Sequence, residues 1–190
     1  MDDALPLRLA ADLDGCFEDL VREQQDFVFG LALRMTLDRS DAEDVAQESF
    51  VRAYRALAGY DAERIRAMRL RPWLARIALN VQRNRVRRRR ETTTMDDGTA
   101  DRIAARGATP EEAAVTASRS AASAALLATL PEQYRVAIAL RHIEGLPYAE
   151  VAEILGRPVG TVKAQIHRGL ARLRTTIETT EGGRPWRERD

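Results

Sequence analysis

The sequence predicts an all-α protein built from two small helical domains joined by a flexible linker. Three observations support this prediction. Apolar residues recur with the spacing of about 3.6 that is typical of amphipathic helices. Glycine and proline supply only 11 and 7 of the 190 residues, so strong helix breakers are few. Aromatic residues make up 5% of the chain, which disfavours a β-rich fold.

The first domain is predicted to span residues 15–90 and to contain three helices. A capping-box pattern, Ser-Asp-Ala-Glu at residues 40–43, is expected to open the second helix. Proline is tolerated at the first helical position, so Pro72 is expected to begin the third. The predicted helices carry apolar stripes from Phe17 to Met35, from Val45 to Leu57 ending near Gly59, and from Trp73 to Val81 running on to Arg90. Residues 60–70 are interpreted as a connection.

Residues 91–117 are the predicted linker and residues 118–178 the second domain. The segment 91–108 loses the helical periodicity and is rich in Thr, Asp, Gly and Ala. Further helices are predicted from Thr109 to about Leu127, from a capping box at residues 129–132 to His142, from Tyr148 to Leu155, and from Val159 to about Ile177. The residues after 180 are expected to be frayed.

Composition excludes several classes of protein. No apolar run approaches the roughly 20 residues of a membrane span, so no membrane insertion is expected. The single cysteine, Cys16, excludes an internal disulfide framework and a Cys-rich zinc site. The N-terminus lacks a basic segment followed by an apolar one, so a cytoplasmic location is predicted. No cofactor and no metal site are predicted.

The formal net charge of +1 results from cancellation between segments. Residues 1–51 hold 13 acids and 4 bases, whereas residues 52–90 hold 2 acids and 13 bases. Such separation suggests two partners, one with a basic surface and one an acidic polymer. Of the 30 bases, all except Lys163 are arginine, which suits forked contacts to phosphates and base edges.

The segment from Tyr148 to Arg174 has the pattern of a helix-turn-helix. Two short apolar periodic stretches flank a tight turn at Gly156, a residue that readily adopts positive φ. Val162, Ile166, Leu170 and Leu173 are expected in the core. The outward positions of the second helix are then candidates for reading the major groove. They are Thr161, Lys163, Ala164, Gln165, His167, Arg168 and Arg172. A helical hairpin with a solvated basic face is the alternative interpretation.

These side chains suit contacts to DNA. Thr161 can bind a phosphate at the helix start, and Lys163 can reach guanine acceptors. Gln165 can read adenine, while Arg168 and Arg172 can reach guanine or phosphate.

The block from residue 126 to 174 resembles the −35-binding domain of bacterial sigma factors, especially the extracytoplasmic-function (ECF) group. The matching features are Leu130-Pro131 followed by Arg135, Ala149-Glu150-Val151-Ala152, and Gly160-Thr161-Val162-Lys163. Ala164-Gln165 departs from the Ser-Arg common in that family, which leaves the −35 sequence open. Response-regulator output domains share this motif.

The segment 41–54, DAEDVAQESFVRAY, resembles the ECF helix that binds core RNA polymerase. The resemblance implies that Asp41, Asp44, Gln47 and Glu48 contact a coiled coil of the β′ subunit. Two other interpretations remain open. Acidic residues in a first turn favour the helix dipole on their own, and clustered carboxylates can also hold a metal ion.

The segment 71–80, RPWLARIALN, resembles the family signature that leads into the −10 helix. The resemblance implies −10 contacts from Asn80, Arg83, Asn84, Arg87 and Arg88. Asn84 replaces an Asp common in the family. Amides can hydrogen-bond an unstacked base edge, and arginines can neutralise phosphates. Trp73 is expected in the core.

An ECF sigma factor, a non-catalytic specificity subunit of RNA polymerase, is therefore the predicted function. The resemblance implies as partners core polymerase, through the β′ coiled coil and the β flap, and promoter DNA, with an anti-sigma factor as a further candidate. Three alternatives remain: a free-standing dimeric helix-turn-helix regulator, a metal nuclease using Asp41, Glu43, Asp44 and Glu48, and an anti-sigma or adaptor protein.

Overall fold

The computed structural model describes residues 4–93 and 123–180. All regular elements within these ranges are helices. They are α1 (Ala4–Ala11), α2 (Leu13–Thr36), α3 (Arg39–Ala58), α4 (Ala62–Arg66), α5 (Leu70–Thr93), α6 (123–128), α7 (Glu132–Ile138) with a π-helical turn (Ala139–Ile143), α8 (Tyr148–Leu155) and α9 (Val159–Thr180). The chain divides into two compact units, the first holding α1 to α5 and the second most of α6 to α9. The all-α prediction is confirmed.

The first unit is built around α2, α3 and α5, which pack against one another in pairs. Its core consists of aliphatic side chains that are withdrawn from solvent, among them Leu20, Val28, Val45, Leu57 and Leu74. Burying each such side chain stabilises the fold by about 1.5–3 kcal/mol. The spacing of these residues is the helical periodicity that the sequence displays.

Helix α1 was not predicted from the sequence. It packs on α2 and α4 and buries Leu5 and Leu9. Leu5, Leu7 and Leu9 alternate instead of following the helical period, and Pro6 lies among them, so the sequence gives no helix signal and the stability of α1 depends on tertiary packing. Helix α4 likewise forms inside the predicted connection at residues 60–70, where the carboxylate of Asp61 accepts a hydrogen bond from the backbone N–H of Arg64 at 2.8 Å.

The start of α3 corrects one sequence prediction. Its N-cap is Asp38, whose Oδ1 accepts a hydrogen bond from the backbone N–H of Asp41 at 2.8 Å, whereas Ser40 lies exposed within the first turn. The capping box at residues 40–43 is therefore wrong by two positions. Asp38 and Ser40 are both good capping residues, and only the backbone conformation decides between them. The predicted end near Gly59, the C-cap, is confirmed.

Helix α5 begins two residues earlier and ends three residues later than expected. Pro72 is therefore its third residue rather than its first. The first-turn N–H groups of a helix lack intrahelical acceptors, so a proline is accommodated there as well. Trp73 is half-buried, with its ring edge-on to Tyr60 at 6.3 Å between centroids.

The second unit packs α7 against α9. The predicted capping box at residues 129–132 is wrong, because the Thr129 hydroxyl donates to the carbonyl of Leu126 and Pro131 occupies the N-cap position without a side-chain bond. The buried Arg135 instead donates to the carbonyl of Leu130 at 2.7 Å. Burial lowers the pKa of Arg135. This bond gives a physical reason for the Leu-Pro and Arg pattern seen in the sequence.

The helix-turn-helix has the predicted first helix, turn and start of the second helix, whereas α9 continues to Thr180, three residues beyond its predicted end near Ile177. Helix α8 spans Tyr148–Leu155, α9 begins at Val159, and Gly156 between them has a φ of +65°. Such a φ strains any residue with a Cβ, so glycine is the suitable residue at this turn. The helix predicted to end at His142 corresponds to α7 together with the π-helical turn.

Several predictions lie largely outside the described residues. They are most of the linker at 91–117, the beginning of the helix expected from Thr109, and the tail after residue 180. The domain limits at 15–90 and 118–178 stay predictions. None of the described helices is long and apolar enough to cross a membrane.

Candidate polymerase and DNA interfaces

Helix α5 presents two faces with different environments. Its buried residues, such as Leu74, Ala78 and Val81, lie on the side that packs against α2 and α3. Since an α-helix turns by about 100° per residue, positions 80, 83, 84 and 87 fall together on the opposite side. Asn80, Arg83 and Arg87 are exposed there and Asn84 is half-buried. Four of the five predicted −10 residues therefore share one outward face.

The remaining arginines of α5 do not all share that face. Positions 85 and 89 fall on the same side of α5 as the buried residues, but further along the helix, beyond the apolar core. Arg85 donates to Asp41 at 2.9 Å and to Asp44 at 3.2 Å. Arg89 donates through both terminal nitrogens to the two carboxylate oxygens of Asp41, at 2.7 and 2.8 Å. We call Asp41, Arg85 and Arg89 the α3–α5 ion-pair cluster.

The cluster changes the ionisation of its members. The hydrogen bond from Arg89 is the largest influence holding the pKa of Asp41 below its ordinary value of 3.8, and it outweighs partial burial. The same bond raises the pKa of Arg89. Both groups are therefore charged over the whole neutral range. The acidic segment 1–51 and the basic segment 52–90 are therefore in contact at this cluster, although they are separate in the sequence.

The other predicted polymerase-binding residues lie along α3. Asp44 and Gln47 are exposed, and Glu48 is half-buried and accepts a hydrogen bond from Arg52 at 2.6 Å. They line a groove of about 400 Å³ whose opposite wall is formed by α5. From α5 it receives Val81, Asn84, Arg85 and Arg88. Arg88, predicted to contact the −10 element, thus lies beside the acidic residues of α3.

A second groove of about 430 Å³ was missed by the sequence reasoning. It runs between α2 and α3 and is lined by Phe17, Val21, Gln47, Phe50, Val51, Tyr54 and Arg55. Val51 and Tyr54 remain 39% and 37% exposed. Their spacing from Gln47, at i+4 and i+7, is the signal that could have revealed it, because they extend the polar face with apolar residues.

Tyr54 is held in this groove by two contacts. Its ring packs edge-on against Phe17 at 5.1 Å between centroids, and its hydroxyl donates to Asp14 at 2.6 Å. That hydrogen bond raises the pKa of Tyr54. The groove is therefore a preformed apolar surface next to Gln47.

Helix α9 largely confirms the predicted outward set. Thr161, Lys163, His167, Arg168 and Arg172 are exposed, and Ala164 is half-buried. Two side chains also contact aromatic rings, Lys163 at 5.6 Å from the ring centre of Tyr148 and Arg172 at 5.1 Å from that of Tyr134. These contacts restrain long side chains without removing them from solvent.

Two positions on α9 correct the sequence prediction. Gln165, expected to read adenine, is only 6% exposed, and its Oε1 accepts no hydrogen bond from the described residues. Leu170, expected in the core, is 39% exposed. Positions 165 and 170 flank the buried stripe of α9 on opposite sides at similar angles, so tertiary packing rather than the helical period decides that Gln165 is buried and Leu170 is exposed. Gly169 occupies the core side instead.

Gly169 permits a close helix crossing. A Cβ added there would lie 2.7 Å from Ile138 Cδ1 and 3.1 Å from Tyr134 Cβ. Helix α7 therefore approaches α9 more closely than a residue with a side chain would allow. This crossing supports the helix that carries the outward residues.

With two helical units and these surfaces described, comparison with known proteins identifies the class. The family model for Sigma-70 region 2 matches residues 20–92, and that for Sigma-70 region 4 matches residues 123–173. The chain thus has the two-region organisation of a sigma-70-type factor. It is 37% identical to the ECF RNA polymerase sigma factor SigW of Bacillus subtilis over 85% of this chain and 88% of SigW. The chain belongs to the ECF RNA polymerase sigma factors.

Two solved structures have a similar fold. The chain is 25% identical to CnrH in its complex with the cytosolic domain of CnrY, with a TM-score of 0.66 over 94% of this chain and 97% of that chain. The sigma factor RpoE of Bartonella quintana, in complex with the anti-sigma factor NepR, is 22% identical, with a TM-score of 0.69 over 85% and 96%. The second likeness concerns the fold alone.

The role predicted from the sequence is therefore confirmed at the level of the family. The protein is a sigma factor, which acts with core RNA polymerase on promoter DNA in transcription initiation.

Proposed function

We propose that this sigma factor divides its task among the outward faces of three helices. Helix α3 binds core polymerase, α5 engages the −10 element and α9 reads the −35 element. The observation that supports this division is that the polar faces of α5 and α9 lie opposite their buried sides. Each helix can therefore contact DNA without losing the packing that holds it.

For core binding, Asp44 and Gln47 are the side chains best presented by α3. Both are exposed, and Gln47 belongs to the polar groove with α5 and to the apolar groove with α2. A partner helix can therefore place polar groups against Asp44 and Gln47 and apolar groups against Val51 and Tyr54. A central apolar contact with a polar rim is the usual composition of a protein interface.

For the −10 element, α5 combines two kinds of group. The amides of Asn80 and Asn84 can hydrogen-bond the edge of an unstacked base, and Arg83 and Arg87 can neutralise phosphates on either side. Asn84 is half-buried beside the groove, so its amide is held more firmly than that of the exposed Asn80. Base contacts would specify the sequence, while arginine contacts would supply salt-dependent affinity.

For the −35 element, the exposed side chains of α9 enter the major groove. Lys163 and Arg168 can reach guanine acceptors, Thr161 can bind a phosphate at the helix start, and the methyl group of Ala164 can contact thymine. Gln165 is not part of this set, because its side chain is buried. His167 and Arg172 extend the exposed surface along the helix.

The proposal also covers where and how the protein acts. RNA synthesis belongs to the polymerase, the sigma factor contributes specificity without catalysis, and both work in the cytoplasm. Regulation of this chain by an anti-sigma factor is part of the proposal; RpoE of Bartonella quintana, which has a similar fold, is found in complex with the anti-sigma factor NepR. The contact with the β flap stays a prediction with no residues assigned.

Transcription in vitro tests the proposal. Purified full-length protein is mixed with sigma-free core polymerase and a pool of genomic promoter fragments, and transcript 5′ ends are mapped. We expect discrete starts that share −35 and −10 boxes. Asp44→Arg and Gln47→Ala should abolish or strongly reduce them.

The matched control is Asp26→Arg, which makes the same charge change at an exposed position of α2. By helical spacing, position 26 lies on the side of α2 opposite its buried residues. It should transcribe at the wild-type level. Absence of stimulation, together with binding of the protein alone to a palindromic site, would contradict the proposal.

A further inference from the structure

Asp41 lies in the first turn of α3, at the point where α3 meets the basic end of α5. Its side chain is 23% exposed, less than half the 56% of Asp44. Its two oxygens accept three hydrogen bonds from Arg85 and Arg89, at 2.7 to 2.9 Å. A carboxylate offers about four acceptor positions, so little of its capacity remains for a partner protein.

We propose that Asp41 is a positioning residue: it holds Arg85 and Arg89 against α3 and thereby decides which arginines of α5 face promoter DNA. This inference rests on the −10 role proposed for α5. It reassigns Asp41, which the family resemblance implied to be a polymerase contact.

The helix geometry places Arg83, Arg85, Arg87 and Arg89 in two pairs on different sides of α5. Arg85 and Arg89 are spaced i, i+4 on one side of α5, and Arg83 and Arg87 are spaced i, i+4 on the other. Each pair carries the same charge, and the pairs interleave within the seven residues 83–89. Only the first pair donates to Asp41. The cluster therefore separates arginines that the sequence presents as one basic run.

The selection has an electrostatic consequence. Arginines that neutralise phosphates release counterions, and each duplex contact adds about −0.9 to the slope of log affinity against log salt. Arginines held by short hydrogen bonds to a partly buried carboxylate, as Arg85 and Arg89 are, add little to that slope. Arg87 also lies near a carboxylate, that of Glu91, but at 3.8 Å and with both side chains about 70% exposed, so it is not held in the same way. The two pairs should therefore differ in their effect on salt dependence, although they lie in the same helix.

The first experiment compares the pairs directly. Holoenzyme is assembled from core polymerase and full-length protein, and its affinity for a mapped, fluorescently labelled promoter fragment is measured from 50 to 200 mM salt. Arg83→Gln with Arg87→Gln should flatten the slope by about 1.8, which is about twelvefold in relative affinity across this range. Arg85→Gln with Arg89→Gln should leave the slope close to the wild-type value.

The second experiment releases the held pair. Asp41→Asn should steepen the slope by about 1 to 1.8, because Arg89 loses its hydrogen bonds to Asp41 and Arg85 keeps only its longer contact with Asp44 at 3.2 Å, so both can reach phosphates more readily. Adding Arg85→Gln and Arg89→Gln to this variant should restore the wild-type slope, and Asp41→Glu should behave nearly as the wild type. The control is Glu43→Gln, which removes the same charge two residues further along α3 but breaks a pair with Arg39 instead.

Core affinity distinguishes positioning from direct contact. Asp41→Asn should bind core polymerase within about twofold of the wild type, whereas loss of a direct charged contact would reduce core affinity. The inference is overturned if the two arginine pairs flatten the slope equally, or if Asp41→Asn acts only on core affinity. If Arg85→Gln with Arg89→Gln fails to fold, the Asp41→Asn measurement decides. Failure of the wild-type holoenzyme to bind the promoter would instead contradict the proposed function.

Discussion

Helices α5 and α9 both present polar faces for DNA, but they separate inward from outward residues by different means. In α9 an apolar residue or glycine marks the buried side at every turn, at positions 162, 166, 169 and 173. In α5 the run after Asn84 contains only one apolar residue, Val86, among six charged ones. There the ion pairs with Asp41, rather than apolar burial, determine which arginines face inward.

This difference between α5 and α9 shows which kind of helix face can be predicted from the sequence. Apolar periodicity defines a face because burial of apolar area is non-directional and depends mainly on position along the helix. An ion pair needs a particular partner at hydrogen-bond distance, and that partner lies more than 40 residues away in the sequence. The orientation of α9 could therefore be predicted closely, and that of the basic end of α5 could not.

The largest expected effect comes from truncating a buried side chain in the apolar stripe of α9. Ile166 is 2% exposed and Leu170 is 39% exposed, although the sequence places both in the core. Ile166→Ala should lower the opening free energy of the second unit by about 2–5 kcal/mol. Leu170→Ala should lower it by under about 1 kcal/mol. Hydrogen exchange of the α7 and α9 amides in the full-length protein measures both changes in opening free energy. Equal losses in the two variants would contradict the placement of Ile166 in the core and Leu170 outside it.

The next effect concerns DNA reading by α9. Arg168→Ala should weaken binding of the holoenzyme to its −35 box by about 1–3 kcal/mol, because an exposed side chain that reaches a base edge is lost. Gln165→Leu should leave −35 preference unchanged, since it replaces a buried polar group by an apolar one of similar size. Affinity for a mapped promoter and for single-base variants of its −35 box tests this. Altered base preference in Gln165→Leu would mean that the side chain turns outward.

A smaller effect tests the close crossing of α7 and α9. Alanine is favoured over glycine within a helix by about 1 kcal/mol, but at Gly169 its Cβ overlaps Ile138. Because overpacking costs about 1–3 kcal/mol, Gly169→Ala should be net destabilising by about 1 kcal/mol. In an Ile138→Val background, which lacks the overlapping Cδ1, the same change should become less destabilising, although the contact with Tyr134 Cβ at 3.1 Å remains. Hydrogen exchange across the four variants gives the coupling, and additive effects would exclude the overlap.

The smallest expected effect tests how much the α3–α5 ion-pair cluster stabilises the first unit. Asp41→Asn should reduce the stability of the first unit by about 0.5–1 kcal/mol at pH 7, the range of a partly exposed ion pair. Because the folded pKa of Asp41 is lowered, this contribution is present above pH 3.8 and is lost as the pH falls through the folded pKa. Arg85, Arg89, Asp38 and Asp44 surround the group and are present in both proteins. The difference between wild type and variant therefore isolates Asp41.

The control for this pH series is Asp26→Asn at an exposed position of α2. Its stability should follow that of the wild type throughout the acid range. A difference between wild type and Asp41→Asn that does not decline at all as the pH is lowered below 3.8 would show that the carboxylate charge is not its source.

Much of the architecture could be predicted because it depends on local patterns. The bounds of α8, the start of α9 and the turn at Gly156 follow from apolar spacing and from one residue able to adopt positive φ. The sequence predictions were wrong where several residues were chemically suitable for the same role, or where a segment carried no helical pattern. Asp38 rather than Ser40 caps α3. Helices α1 and α4 form in segments without a helical period, since the leucines of α1 alternate and α4 has only five residues.

The sequence by itself determined the all-α class, the helix-turn-helix and the resemblance to ECF sigma factors, because these depend on periodicity and on motifs within single segments. Only the tertiary structure decided that Gln165 is buried, that an apolar groove runs between α2 and α3, and that Asp41 pairs with two arginines of α5. The physical reason is the range of the interactions. Helix formation is governed by neighbours within a few residues, whereas grooves and ion pairs depend on which distant side chains the packing brings together.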